Sequence, residues 1–264
     1  MSDQLTFDAE QARAIETLYM SESVLARRKR AFELLGLGKG DRFLDLGCGP
    51  GFLATEAAQI VGAAGQVHAL DSSDSMLSLA RARAEKDAEA EYISFHQGDA
   101  TALPFPDDHF DAVAVLQVYE YVADIDSALA ELRRTLKPDG RYVIIDTDWQ
   151  SMVYHSLDPD LTSRILDAFD GHLADPNLPR GLGPKLRATP LAVTKVEPFV
   201  QLSAGNADAY TKALTKIASD YVRNRAGLTD AEVDEWLQGL DELETADATF
   251  MSLTQFFFAG SKLQ

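Results

Sequence analysis

The sequence predicts an α/β protein: a doubly wound, mostly parallel seven-stranded sheet, with an antiparallel last strand, helices on both faces and a helical lid or insert. Three observations carry this prediction. Short apolar runs alternate with helical patterns between residues 42 and 146, and such alternation builds a parallel sheet covered on both faces. A glycine-rich turn, Gly47-x-Gly49-x-Gly51, joins the first run to the first helix of the series. A last run, ATFMSLTQFFFAGSK (248–262), has no helix after it. Entering as a hairpin partner, it would run antiparallel.

Each element follows from its pattern. Residues 8–36 read as helical, with Leu18, Leu25, Phe32 and Leu35 at helical spacing and ARRKRA as a basic face. Gly36, Gly38 and Gly40 end that pattern. RFLDL (42–46), QVHALD (66–71), YISFHQ (92–97), FDAVAVLQV (110–118) and RYVIID (141–146) read as strands. Helices are expected over 52–61, 74–88 and 124–136, and KPDG as a turn. Beyond residue 146 the rhythm changes. DLTSRILDAFDGHL (160–173) has a helical pattern, AVTKVEPFVQL (192–202) reads as a sixth strand, and 206–223 and 229–244 read as two more helices. The expected organisation is an N-terminal helical cap (1–39), a cofactor-binding core (40–147), an acceptor-site insert (148–190) and a C-terminal part of the same domain (191–264).

Bulk properties narrow the function classes. The 264 residues include 42 acidic against 24 basic, a formal net charge of −18. Such a field repels nucleic-acid backbones and anionic membranes. The single cysteine, Cys48, allows neither an intrachain disulfide nor a cysteine metal cluster. No run approaches the ~18 apolar residues of a membrane helix, and the acidic amino terminus lacks a signal-peptide pattern. A cytoplasmic protein with a small-molecule partner is expected, with a homodimer as an open option.

The glycine turn narrows the ligand. An apolar strand carries Asp45, the turn follows, and a helix begins with free N–H groups. Asp71 ends the second strand about twenty residues later, where a carboxylate accepts from ribose hydroxyls. A dinucleotide fingerprint, Gly-x-Gly-x-x-Gly, would need its third glycine at position 52, which is Phe52. The Gly-Lys-Ser/Thr of a phosphate-cradling loop is absent.

LDLGCGPG resembles the first motif of class I S-adenosylmethionine-dependent methyltransferases, and ALDSSDSML resembles their second. QGDATALPFPDDHFDAV and ALAELRRTLKPDGRYVIID resemble the stretches around their fourth and fifth strands. The set is most similar to the small-molecule group that includes ubiquinone and menaquinone C-methyltransferases, and it covers about residues 40–147. The resemblance implies a Rossmann-like core that binds S-adenosylmethionine and releases S-adenosylhomocysteine. It implies that Gly47, Gly49 and Gly51 leave room for the methionine part and that Asp45 helps to hold its ammonium. Asp71 would take the ribose hydroxyls. Ser72 and Met76 would lie near the adenine, and Asp99 would accept from its amino group beside the Ala100 N–H. Gln117 would line the methionine pocket. Tyr19 and Arg28 are candidates to close over the cofactor carboxylate, with packing or surface roles as the alternative. The chain departs from enzymes that methylate exocyclic amines: LQVYEY stands where those often carry Asn/Asp-Pro-Pro-Tyr.

Transfer of an already activated methyl needs mainly alignment, which supplies about 7–11 kcal/mol. A base is needed only where the acceptor loses a proton. Among His68, His96, His109, His155 and His172, the last two lie in the insert and are the catalytic candidates, with plain packing as the alternative. Tyr121, Trp149, Tyr154 and Arg180 are the candidate acceptor contacts; aromatic rings with a few polar groups suit a small, partly apolar acceptor. Arg180 would pair with an acceptor carboxylate or with a surface acid. With Gln117 at the end of the fourth strand, no metal is expected. The competing classes are a nicotinamide-dependent oxidoreductase, a non-catalytic protein that binds S-adenosylmethionine or S-adenosylhomocysteine, and a recruited site with different chemistry.

Overall fold

The computed structural model describes residues 18–86 and 91–264. The expected helical positions 8–17 and the tail of the 74–88 helix at 87–88 lie outside the described residues. A helical turn holds Leu18 and Tyr19, and α1 (Glu22–Leu35) follows. It stops at Gly36, whose φ of 61° is the left-handed conformation that closes a helix at little cost to glycine. Then come β1 (Arg42–Leu46), α2 (Phe52–Val61), β2 (Gln66–Asp71), α3 (Asp74–Ala84), β3 (Ile93–Gln97), β4 (Phe110–Leu116) and α4 (Ile125–Thr135). The C-terminal half holds β5 (Leu136–Tyr154), α5 (Pro159–Asp170), α6 (Leu178–Ala188), β6 (Leu191–Gly205), α7 (Ala209–Val222), α8 (Asp230–Thr245) and β7 (Thr249–Lys262).

The seven strands form one sheet in the order β3-β2-β1-β4-β5-β7-β6. The pairs from β3 through β5 are parallel. β7 is antiparallel to both β5 and β6, so the expected direction of the last strand holds. Strand order reverses between β1 and β4. In open α/β sheets that switch point opens a crevice at the carboxyl ends of the strands, which here carry Asp45, Gln117 and the glycine turn.

β5 is longer than RYVIID alone, and two bulges account for this. Leu136 faces Phe110 while Arg141 faces Ala112, so KPDG loops out of register, with Asp139 at a φ of 62°. Further on, Asp148 faces Thr254 and Val153 faces Ser252. The excess residues include Trp149 and Met152, both buried beside the sheet.

Two apolar layers cover the sheet. One joins Leu129 and Leu132 of α4 to Leu178, Leu182 and Leu186 of α6. The other joins Ala31 and Leu35 of α1 to Leu53, Ala57 and Val61 of α2. Truncating one such leucine to alanine costs about 2–5 kcal/mol. A third cluster lies beyond the sheet, where Ile165 and Phe169 of α5 meet Leu214 of α7, Trp236 of α8 and Met251 of β7. Residues 148–190 therefore divide between two packings: α5 joins this third cluster and α6 covers the sheet. Helix α6 was not expected from its sequence, LPRGLGPKLRA. Pro179 sits in its first turn, where its missing N–H costs nothing, and Pro184 lies inside it. The leucines every four residues, all buried, outweigh the breakers. No helix among the described residues is long and apolar enough to cross a membrane.

Candidate active site

The turn after β1 is built on main-chain geometry. Gly47, Gly49 and Gly51 have φ of 73°, 51° and 80°. A Cβ on Gly47 would stand 2.2 Å from Cγ2 of Val118, and one on Gly51 would stand 2.8 Å from Cβ of Ala80. Two of the three glycines thus admit protein neighbours as well as a tight turn. The Gly47 and Cys48 N–H groups donate to the Leu70 carbonyl at 2.7 and 2.9 Å, which locks the turn to the end of β2.

Asp71 closes this arrangement. Its carboxylate accepts from the Gly49 N–H at 2.8 Å and the Ser73 N–H at 2.9 Å. Ser73 caps α3 through the Met76 N–H, so Ser72 and Met76 follow directly from the strand end. Asp45 is buried beneath the turn, and its Oδ2 has no hydrogen-bond partner. Burial, then the Asp71 charge, pushes the Asp45 carboxyl up to about 8. An unpartnered buried carboxylate oxygen is what an ammonium donor would satisfy. Asp99 accepts from the Thr101 N–H at 2.8 Å and its hydroxyl at 2.7 Å, which holds the carboxyl below its usual range. Ala100, beside it, is buried.

Tyr19 and Arg28 lie over the turn. The Tyr19 ring stacks on Phe52 at 5.3 Å, and its hydroxyl would be 3.3 Å from a Cβ on Gly49. Arg28 donates to Glu56 Oε1 at 3.0 Å and to the Tyr19 carbonyl at 2.6 Å. Its guanidinium therefore braces Tyr19 and already has an acid partner.

Gln117 follows β4 with a φ of 55°. Its N–H donates to the Ile145 carbonyl and its amide to Thr147 Oγ1, at 2.7 and 3.1 Å. Next to it stands a buried polar cluster that the sequence reading did not assemble. Glu120 and Asp146 are both fully buried. Glu120 Oε2 accepts from the Thr147 N–H at 2.8 Å, and Asp146 Oδ1 accepts from the Val118 N–H at 3.1 Å. Burial pushes the Glu120 carboxyl up to about 7, and burial together with the Glu120 charge raises Asp146 well above the usual range. Arg27 of α1 acts on Glu120 and donates to Gln255 Oε1 of β7 at 2.9 Å. The Tyr210 phenol of α7 lies beside Arg27 and Gln117. The signal that would have found Glu120 is an acid set among aromatic residues directly after an apolar strand, in LQVYEY.

The remaining candidates are placed as follows. Tyr121 is about half exposed, and its phenol lies within electrostatic reach of Glu120, Tyr19 and Tyr210. Trp149 is buried, packs edge-on against Phe169 and His172, and its indole approaches Glu120. His172 stacks on Phe169 at 4.1 Å, and Nδ1 pairs with the Phe169 carbonyl. Burial lowers its pKa. His155 is exposed, with Nδ1 2.9 Å from the Ala248 carbonyl. With Tyr154 it lines a cleft of about 540 Å3 between α7 and α8, which none of the glycine-turn residues lines. Tyr154 pairs with Thr215 Oγ1 at 3.0 Å. Arg180 donates to both Asp148 oxygens at 3.0 and 2.9 Å, so its acid is a protein carboxylate. His68, His96 and His109 pack together around Phe105 and Phe110. Burial, then His96, lowers His68 to about 4.

Residues 44–144 match the family described as methyltransferase domain. This stretch is thus similar to methyltransferase domains. The chain is 49% identical over 107 residues to a 2-phytyl-1,4-naphtoquinone methyltransferase of Synechococcus elongatus, an alignment covering 40% of this chain and 46% of that one. It is 40% identical over 119 residues to a ubiquinone/menaquinone biosynthesis C-methyltransferase of Pseudomonas putida, covering 45% and 46%. The chain thus spans about half the length of the curated relatives it matches. The structure superposes on the YcgJ protein of Bacillus subtilis with a TM-score of 0.63 at 20% identity, over 92% of this chain and 98% of that one. The matched stretch ends within β5, so helices α5 to α8 and part of the buried cluster lie beyond it.

Proposed function

We propose that the chain is an S-adenosylmethionine-dependent methyltransferase that acts on a small-molecule acceptor by direct in-line displacement. Oxygen or carbon is the favoured acceptor atom, with nitrogen included. The observation that carries this reading is the pairing of an unpartnered, buried Asp45 oxygen with a glycine turn closed by Asp71. S-adenosylmethionine, when bound, supplies an electrophilic sulfonium methyl. Asp45 would hold its ammonium, Asp71 its ribose hydroxyls, and Met76, Asp99 and Ala100 its adenine. Tyr19 and Gln117 would border the methionine end, and Arg28 would steady Tyr19. The protein's task is alignment and exclusion of water.

A nicotinamide reading meets Phe52 where its third glycine belongs, in a stretch that matches a methyltransferase domain. The curated relatives are named for quinones, which supports a small aromatic acceptor. The net charge of −18 argues against a nucleic-acid partner. The test is transfer of labelled methyl from S-adenosylmethionine to a panel of phenols, hydroquinones and small acids. Label in at least one organic product supports the reading, and label in none counts against turnover.

A further inference from the structure

The least satisfied polar groups near the cofactor turn belong to the cluster around Glu120. Glu120 Oε1, Asp146 Oδ2, Arg27 Nε and Trp149 Nε1 are all buried without a hydrogen-bond partner of good geometry, the Trp149 indole lying beside Glu120. A buried polar group left unpaired is costly, and a concentration of them in one place suits a polar occupant. Glu120 sits in the short turn after β4, at the switch point of the sheet. Val118, two residues before it, is the neighbour that a Cβ on Gly47 would strike. The Tyr19 phenol lies within electrostatic reach of Arg27 as well as of Asp71 and Asp45. The cluster is tied to Gln117, proposed above to border the methionine end, through Thr147, which accepts from the Gln117 amide and donates its N–H to Glu120.

Charge decides what suits the place. Arg27 acts on Glu120, and Glu120 and Asp146 bring two buried carboxyl groups to the same place. Arg28 is engaged by Glu56, and Arg180 by Asp148. Of these three, Arg27 faces the buried acids, so an anionic acceptor would compete with Glu120 for its charge. Tyr19, Tyr121, Trp149 and Tyr210 supply aromatic surface for a flat ring. We propose that Glu120 receives the acceptor's hydrogen bond and then its proton, and that the site takes an uncharged hydroxyl-bearing aromatic acceptor rather than a carboxylate or a phosphate. This rests on the methyltransferase reading. In attack through oxygen, the acceptor oxygen bonds to the methyl carbon as the methyl–sulfur bond breaks, and that electron pair stays on sulfur. The hydroxyl proton goes to Glu120 Oε1. One positive charge on sulfur and one negative charge on Glu120 disappear together, so the step balances. Asp146 is a positioning residue: it accepts the Val118 and Glu120 N–H groups and so fixes the turn that aims Glu120.

The experiment uses the full chain saturated with S-adenosylhomocysteine, with 2-naphthol and 2-naphthyl phosphate as probes. Calorimetry should show 2-naphthol binding and little or no binding of the phosphate. Glu120→Gln should weaken 2-naphthol at least ~10-fold while S-adenosylhomocysteine affinity stays within about 2-fold. Should that variant not fold, carbon NMR of the wild-type carboxyl groups decides. A buried carboxyl titrating near neutrality should shift on adding 2-naphthol. Preference for the phosphate, binding of neither probe, unchanged 2-naphthol affinity in Glu120→Gln, or no carboxyl shift would overturn the proposal. Failure of the wild type to bind S-adenosylhomocysteine would instead overturn the methyltransferase reading beneath it.

Discussion

The two halves of the site are built in different ways. The cofactor half is made of main chain and near neighbours: a strand end, three glycines within five residues, and Asp71 reaching back to Gly49. The proposed acceptor half is made of side chains brought from afar. Arg27 and Gln255, which touch at 2.9 Å, are 228 residues apart in sequence. Local main-chain geometry constrains residue types tightly, whereas long-range side-chain assembly constrains only their sum. The first half should therefore fail sharply when a single atom is added, and the second should tolerate change except at its buried polar groups.

The largest effect is expected from Gly47→Ala. A left-handed φ costs a non-glycine residue about 1–2 kcal/mol, and overpacking against Val118 adds about 1–3 kcal/mol. Urea unfolding should show a loss of about 2–5 kcal/mol together with loss of S-adenosylhomocysteine binding. A loss below ~1 kcal/mol would mean that the turn yields. Asp71→Ala comes next. The aspartate ties down Gly49 and Ser73 and is the proposed ribose acceptor, so its loss should lower stability by about 1–3 kcal/mol and cofactor affinity by roughly 10–100-fold. Unchanged affinity would show that it serves the turn alone.

Asp45→Asn sharpens the comparison through pH. An acid whose folded pKa is raised binds more protons folded than unfolded, so its cost to stability appears as pH rises above the unfolded value. That cost grows until about 8, the folded value. The asparagine variant should therefore gain in Tm relative to wild type between pH 4 and pH 8, by at least ~2 °C, while cofactor affinity falls. A constant Tm difference over that range would contradict a buried, unpartnered carboxyl. The smallest effect is expected from Arg180→Ala in the acceptor half. Its guanidinium is about half exposed and paired with Asp148, and such pairs contribute about 0–1 kcal/mol. Loss of methyl transfer at unchanged stability would return Arg180 to the acceptor.

The same contrast explains what the sequence made legible. β1, α2 and β2 lie where RFLDL, FLATEAAQIV and QVHALD place them, because each is a contiguous pattern bounded by glycine or a cap. Asp45, Asp71 and the glycines stand in one short stretch whose spacing has a physical meaning. Helix α6 was hidden because two prolines and two glycines speak locally for a loop, while its leucines answer to a sheet the local pattern does not contain. Glu120 was hidden for a related reason. LQVYEY shows an acid among aromatics, but only folding sets Asp146, Arg27 and Trp149 beside it. His155 and His172 stood out in the sequence by residue type; in the fold one lies exposed at the α7–α8 cleft and the other stacks on Phe169.

The central claim is that the glycine turn holds a sulfonium cofactor and not a dinucleotide. Calorimetric titration of the full chain with S-adenosylhomocysteine, against NADH as the competing ligand, tests it most directly. The account predicts micromolar binding of S-adenosylhomocysteine and none of NADH; binding of NADH alone would contradict it.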